Sequence, residues 1–309
     1  MTHRLGQIGL GTLGQIFAGH LLKSNGRLVV YDQNQDCMDR AAKLGATPAA
    51  SPRDVAEQST IIVFALPSPD VVKNVMLADD GVLAGAAAGT LILDLSTGDP
   101  WTCSAMYRAS KERGVHYLEA PVSGGEPRGA GTDGARAANI TFMVGGDDEV
   151  FERAKPILGI LGKHWFHLGP AGNGSVVKLI SNLISGLNNL VAAEGFALGV
   201  AAGIPWEKML EVFYHTDAKS YQMTDYMEPR LRRGDFEPGF SVDLMYKDHR
   251  LAGELAQRLQ VPVLFNQLAL QVYQMLRARG KGSRDFADAV NLMAEWANLD
   301  INKPRETLF

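Results

Sequence analysis

The stretch Arg4-Leu5-Gly6-Gln7-Ile8-Gly9-Leu10-Gly11-Thr12-Leu13-Gly14 decides the fold. A short apolar run leads into GxGxxG, and Gln15 to Lys23 behind it has helical composition. Arg27-Leu28-Val29-Val30-Tyr31-Asp32 then reads as a second buried strand ending in a carboxylate. Strand, glycine turn, helix, strand and acid in this order make a dinucleotide-binding unit. Gly9 allows the tight turn, Gly11 lets the backbone approach a pyrophosphate, and Gly14 lets helix and strand pack. Unpaired N–H groups at the helix start face the phosphates, so the whole loop (Gly9, Leu10, Gly11, Thr12, Leu13, Gly14) is expected to contact the cofactor. Asp32, eighteen residues after Gly14, would accept hydrogen bonds from a ribose diol and repel a 2′-phosphate. NAD is therefore expected over NADP.

Outward from this unit, short β-rich runs alternate with helical segments as far as Leu168: Ile61 to Leu66, Thr90 to Leu95, Val115 to Glu119, Ile140 to Val144 and Trp165 to Leu168. Alternation of this kind predicts a mainly parallel sheet with helices on both faces. After Gly174 no convincing strand remains, and helical periodicity runs on, with proline starts at Pro205 and Pro262 and glycine breaks near Gly234, Gly239, Gly280 and Gly282. The expected fold class is α/β: an N-terminal Rossmann-type doubly wound sheet (residues 1–170), then an all-α C-terminal domain (171–309), joined by a long inter-domain helix.

Lys178 lies in Gly172-Asn173-Gly174-Ser175-Val176-Val177-Lys178-Leu179-Ile180-Ser181-Asn182, one ammonium in an otherwise apolar stretch. A helix over residues 173 to about 202 places Lys178, Asn182, Ser185 and Asn189 in one polar stripe between Val177, Ile180, Ile184, Leu187 and Val191. Taken alone, Lys178 fits a side chain whose stem packs while its head reaches water. Burying it would disfavour its charge, which chemistry can use. Leu183 to Ile204 nears the length that spans a bilayer. Asn188, Asn189 and Glu194 near its centre argue instead for a long buried helix between domains.

Composition narrows the function classes. The chain of 309 residues is 46% hydrophobic and 21% charged, as expected for a soluble two-domain protein. A formal net charge of -4 gives no electrostatic reason to expect nucleic acid or an anionic membrane as partner. Cys37 and Cys103 are too few for a disulfide framework or a metal knuckle, and no secretory signal pattern precedes the first strand, so the expectation is a cytosolic protein without a metal.

Three loops bear on the site. Leu66-Pro67-Ser68-Pro69 and Leu95-Ser96-Thr97-Gly98 follow two strands, where ligands of open α/β sheets bind. Glu119-Ala120-Pro121-Val122-Ser123-Gly124-Gly125 offers backbone N–H groups that could hold a carboxylate. With these quoted, GLGTLG (9–14) and Asp32, LPSPDVV (66–72), DLSTGDP (94–100), EAPVSGG (119–125), GNGSVVKLISN (172–182) and KDHRLA (247–252) resemble, in order and spacing, the motifs of the β-hydroxyacid dehydrogenases, the family of 3-hydroxyisobutyrate dehydrogenase and tartronate semialdehyde reductase.

The resemblance implies residue roles. Leu66, Pro67 and Thr97 would contact the nicotinamide riboside, Ser123, Gly124 and Gly125 would hold the substrate carboxylate, and Lys178 would be the general acid/base. Asn182 would orient the substrate, and Lys247 with Asp248 would close the site against substrate and cofactor. Burial near a second cation such as Lys247 would lower the lysine's pKa. The substrate implied is a small hydroxy acid or its semialdehyde, and the assembly a homodimer or homotetramer. The segment Glu126 to Asn139, with Arg128, Asp133 and Arg136, is longer than usual and reads as a solvated loop, and Ser181 stands where relatives carry a second asparagine. Two other readings are an imine reductase using NADPH, against which Lys178 and Asp32 speak, and a catalytically silent dinucleotide-binding module.

Overall fold

A computed structural model describes residues 3–124 and 132–306 of the chain. These divide into two compact units, the first ending at Lys178 and the second running from Leu179. The first unit holds a parallel sheet of strands β1 (Leu5–Ile8), β2 (Val29–Tyr31), β3 (Thr47–Pro48), β4 (Ile61–Phe64), β5 (Leu91–Asp94) and β6 (His116–Glu119), in the order β3-β2-β1-β4-β5-β6. Every residue of β1, β4 and β5 is buried, as strands covered on both faces require.

Two-residue periodicity sorts these strands between two cores. Leu5, Ile61, Val63, Leu91 and Leu93 pack with Phe17 and Leu21 of the helix Thr12–Asn25, while Ile8, Ile62, Phe64 and Ile92 pack on the other side with Val55, Val72 and Met106. Strand order reverses between β1 and β4, the position where open sheets of this kind bind ligands beyond their carboxyl ends. The edge strand β3 has no strong signal in the sequence, and its Pro48 is tolerated because an edge leaves N–H groups unpaired.

One expectation is corrected. The runs expected at 140–144 and 165–168 do form strands, over Thr141–Val144 and His164–His167, but outside the main sheet. Strands β7 (Val122–Ser123), β8 (Thr141–Val144) and β9 (His164–His167) make a separate three-stranded sheet, antiparallel between β7 and β8 and parallel between β8 and β9. The chain leaves the parallel sheet where Glu119 and Gly145 exchange two backbone hydrogen bonds (3.2 and 2.9 Å) in an antiparallel bridge, next to Gly146 at φ 137°. β-branched and aromatic runs set strand formation, whereas this bridge sets the partner.

In the second unit no named strand follows His167 among the described residues. Helices Trp206–Phe213, Val242–Leu259, Leu264–Ala278 and Ala289–Trp296 enclose a core that includes Phe196, Trp206, Tyr273 and Phe286. Trp206 packs edge-on against Phe196 with ring centroids 6.2 Å apart. Pro205 precedes its helix, and Gly234 at φ 62° ends Glu228–Arg233, both as the sequence predicts. A π-helical turn over Gln222–Met227 is visible only in the structure.

The junction helix Asn173–Ala201 has 29 residues and, at about 1.5 Å per residue, extends roughly 43 Å. It is long and apolar enough to cross a membrane, with 44% of its most apolar window buried. The expected long buried helix is buried along one side and exposed along another. Lys178, Asn182 and Asn189 are inside, whereas Val177, Ile180, Ile184, Val191 and Leu198 are exposed at near-heptad spacing. Periodicity groups the residues that share a face, and long-range packing chooses which face turns inward.

Candidate active site

The glycine turn has the geometry its sequence implies. Gly9 adopts φ +93°, and a Cβ there would lie 2.4 Å from Ala65 O; a Cβ on Gly14 would lie 2.2 Å from Gly9 O. At Gly11 nothing stands within 4 Å of a built Cβ, and this residue caps Thr12–Asn25 without a side-chain hydrogen bond. Gly11 and Thr12 are exposed and Leu13 is half-buried. A helix start with uncapped N–H groups and open space in front is a cradle suited to a pyrophosphate.

Gln7 escapes the sequence reading. Wholly buried in β1, its amide donates to Gly9 O (3.0 Å) and Gly14 O (2.6 Å), locking the turn from below. Only the folded loop brings those two carbonyls together. At the end of β2, Asp32 Oδ2 accepts from Leu10 N (2.6 Å) and Oδ1 from Asn34 N (2.8 Å), so the carboxylate that would meet a ribose also braces the loop.

The next two loops are tied to each other. Leu66 N donates to Ser96 Oγ (2.9 Å), Ser96 N donates to Asp94 Oδ1 (2.9 Å), and the Tyr117 hydroxyl donates to Asp94 Oδ2 (2.8 Å). Leu66 and Thr97 are half-buried and Pro67 is exposed, at the carboxyl ends of β4 and β5. Ser123 pairs with Thr141 in β7, so part of the expected carboxylate loop is engaged in a strand. Gly124 is exposed, while Gly125 and Arg128 lie outside the described residues. Asp133–Arg136, read from the sequence as part of a solvated loop, is a short helix with Gly134 and Ala135 buried.

Burial pushes the Asp94 carboxyl up to about 6 from 3.8, against the opposing effect of its hydrogen bonds. Between these values the folded state holds the proton more tightly than the unfolded chain. Stability from this group is therefore greatest below pH 3.8 and falls as pH rises to about 6, by about 3 kcal/mol in all. Asp94→Asn is expected to remove this slope. Urea unfolding of parent and variant from pH 4 to pH 7 checks it, and parallel stability curves would contradict the assignment.

Lys178 and Asn182, 6% and 8% exposed, lie one turn apart on the junction helix. In the second unit Asn182 Nδ2 donates to Asp248 Oδ2 at 2.5 Å, and Lys247 Nζ is 3.3 Å from Asp248 Oδ1, an ion pair rather than an aligned hydrogen bond. Asp248 is 1% exposed. Its carboxylate thus engages Asn182 and Lys247 directly, a link the sequence did not reveal because 66 residues separate Asn182 from Asp248. Further along the polar stripe, Ser185 Oγ accepts from Gln222 Nε2 (2.7 Å) at the π-helical turn.

The structure thus assembles two sets. Gly9–Gly14, Asp32, Leu66, Pro67 and Thr97 occupy the carboxyl ends of the first unit's strands, and Asn182, Lys247 and Asp248 meet in the second. Lys178 shares the junction helix with Asn182.

A family profile described as the NAD-binding domain of 6-phosphogluconate dehydrogenase matches residues 4–169, and one described as NAD-binding of NADP-dependent 3-hydroxyisobutyrate dehydrogenase matches 172–293. The chain is 37% identical to NAD-dependent L-serine dehydrogenase of Pseudomonas aeruginosa, covering 91% of this chain and 94% of that protein. It is 34% identical to 2-(hydroxymethyl)glutarate dehydrogenase of Eubacterium barkeri, covering 97% of each. Among solved structures, Mycobacterium tuberculosis 3-hydroxyisobutyrate dehydrogenase with L-serine superposes with a TM-score of 0.85 at 26% identity, covering 95% of this chain and 99% of that one. Imine reductases are more distant and share the fold.

Proposed function

Since the chain belongs to the 3-hydroxyisobutyrate dehydrogenase family of β-hydroxyacid dehydrogenases, we propose that it oxidises the carbinol carbon of a small hydroxy acid, or reduces the semialdehyde, with NAD and with Lys178 as general acid/base. The observation carrying this reading is a buried lysine one helical turn from an asparagine that a buried carboxylate holds in place. A sensor module without catalysis has no use for that arrangement.

The bound dinucleotide supplies the hydride acceptor or donor. The Gly9–Gly14 turn holds its pyrophosphate, Asp32 its adenosine ribose, and Leu66, Pro67 and Thr97 its nicotinamide riboside. Ser123 and Gly124, with Gly125, would take the substrate carboxylate, and Lys247 is a further substrate-binding residue. In the oxidising direction the neutral Lys178 amine takes the hydroxyl proton. In the reducing direction its ammonium returns that proton and stabilises the oxygen as charge develops. Asn182 contributes an amide oriented by Asp248, which accepts one of its Nδ2 protons. A panel of small hydroxy acids and their semialdehydes, read by nicotinamide absorbance with NAD and with NADP, tests the proposal. Tight NAD binding without turnover of any panel member would favour the silent module.

We assign the reaction to the cytosol, in keeping with two free, buried cysteines. A homodimer or homotetramer fits the exposed row Val177, Ile180, Ile184, Val191 and Leu198, since an apolar stripe of this length lowers its free energy by meeting another apolar surface. Light scattering is expected to return twice or four times the 33.4 kDa chain mass. A single-chain mass at micromolar concentration would refute the assembly.

A further inference from the structure

The junction helix begins on a carboxylate. Glu119, the last residue of β6, is 1% exposed. Its Oε1 accepts from the backbone N–H groups of Gly172 (2.6 Å) and Gly174 (2.9 Å), and its Oε2 from the Ser175 hydroxyl (2.8 Å). The fit leaves no slack: a Cβ on Gly145 would lie 2.4 Å from Glu119 Oε1, and one on Gly174 would lie 2.2 Å from Met143 O. Asp94 on β5, Tyr117 on β6 and Cys103 on the helix Pro100–Lys111 surround the carboxylate, and Cys103 Sγ is 3.2 Å from Ser175 Oγ. Burial raises the Glu119 carboxyl above its ordinary value, and hydrogen bonds from Cys103, Ser175 and the Gly172 N–H oppose the rise only in part.

Two consequences reach Lys178, the sixth residue of this helix. At about 1.5 Å per residue it lies roughly 8 Å along the axis from the start, and helical side chains lean towards the N-terminus. An anchored first turn therefore limits where the lysine can present its amine. A helix N-terminus also carries about half a positive charge, which disfavours a nearby ammonium, and an anion seated there cancels it. Glu119 stands four residues before Ser123, so one side chain ties the expected carboxylate loop to the lysine's helix.

We propose that Glu119 is a positioning residue: it anchors the start of the junction helix, thereby placing the Lys178 amine, and its charge sustains that amine's affinity for a proton. The proposal rests on Lys178 as the acid/base.

The test is Glu119→Gln in the full-length, NAD-saturated enzyme. The isostere keeps the volume and removes the charge and one acceptor site. The plateau kcat is expected to fall roughly tenfold, a consequence of misplacement. The pH limb absent from Lys178→Ala should move down, the direction in which loss of a nearby anion moves an amine, with NAD affinity within about twofold of the parent. A folded variant with the parent's plateau, or with the limb unmoved, overturns the proposal. Should Glu119→Gln not fold, Ser175→Ala removes one of the three anchoring bonds and keeps the charge. It should lower the plateau a few-fold and leave the limb in place, and a parent-like plateau would again overturn the proposal. Amide exchange across 173–178, accelerated if Glu119 anchors the helix, separates the two readings: faster exchange with no limb assignable to Lys178 rejects the lysine's role, and unchanged exchange rejects the anchor.

Discussion

Lys178→Ala is expected to lower kcat by about 10²–10⁴-fold, the range in which a positioned acid/base group contributes. NAD affinity should stay close to the parent's, because Gln7 holds the glycine turn, Leu10 N engages Asp32 and Ser96 holds Leu66. Lys178 is buried, so water is a poor substitute for the missing amine. Steady-state kinetics across pH 6 to pH 10, with calorimetric titration of NAD, separate the two effects. Turnover within a few-fold of the parent would remove Lys178 from the mechanism. Loss of both turnover and NAD binding would indicate a structural lesion instead.

Asp32→Ala is expected to weaken NAD binding about 10- to 100-fold, the value of charge-assisted hydrogen bonds to a ribose diol. NADP should lose less and gain from removal of the negative charge facing its 2′-phosphate, so the preference for NAD narrows. Because Asp32 also accepts from Leu10 N, part of the loss would arise from loosening of the turn. Asp32→Asn separates these contributions: it retains an acceptor for Leu10 N while removing the charge. An NAD to NADP ratio unchanged in both variants would show that Asp32 does not read the ribose.

The cofactor half of the site is legible in the sequence because its requirements are local. Gly9 needs positive φ, Gly14 cannot carry a Cβ beside Gly9 O, and Asp32 must end the second strand, so spacing along the chain encodes them. The parts that escaped are contacts between residues far apart in the chain. Gln7 looks like any polar residue in a strand until both of its carbonyl partners are in place. Glu119 reads as the start of a loop until Gly172, Gly174 and Ser175 arrive 53 to 56 residues later.

By itself, the order of residues determined that strands and helices alternate before Leu168 and that helices alone follow, and that Lys178 and Asn182 share a helix face. These properties depend on backbone propensity and on periods of two and 3.6 residues, which act over short range. Tertiary structure alone decided that β8 and β9 leave the parallel sheet for one of their own, and that the junction helix turns its lysine inward and an apolar row outward. It also decided which carboxylates hold Asn182 and the helix start. The physical reason is the same in each case: a side chain's burial and its hydrogen-bond partners are set by groups remote in sequence, whose positions exist only once the chain has packed.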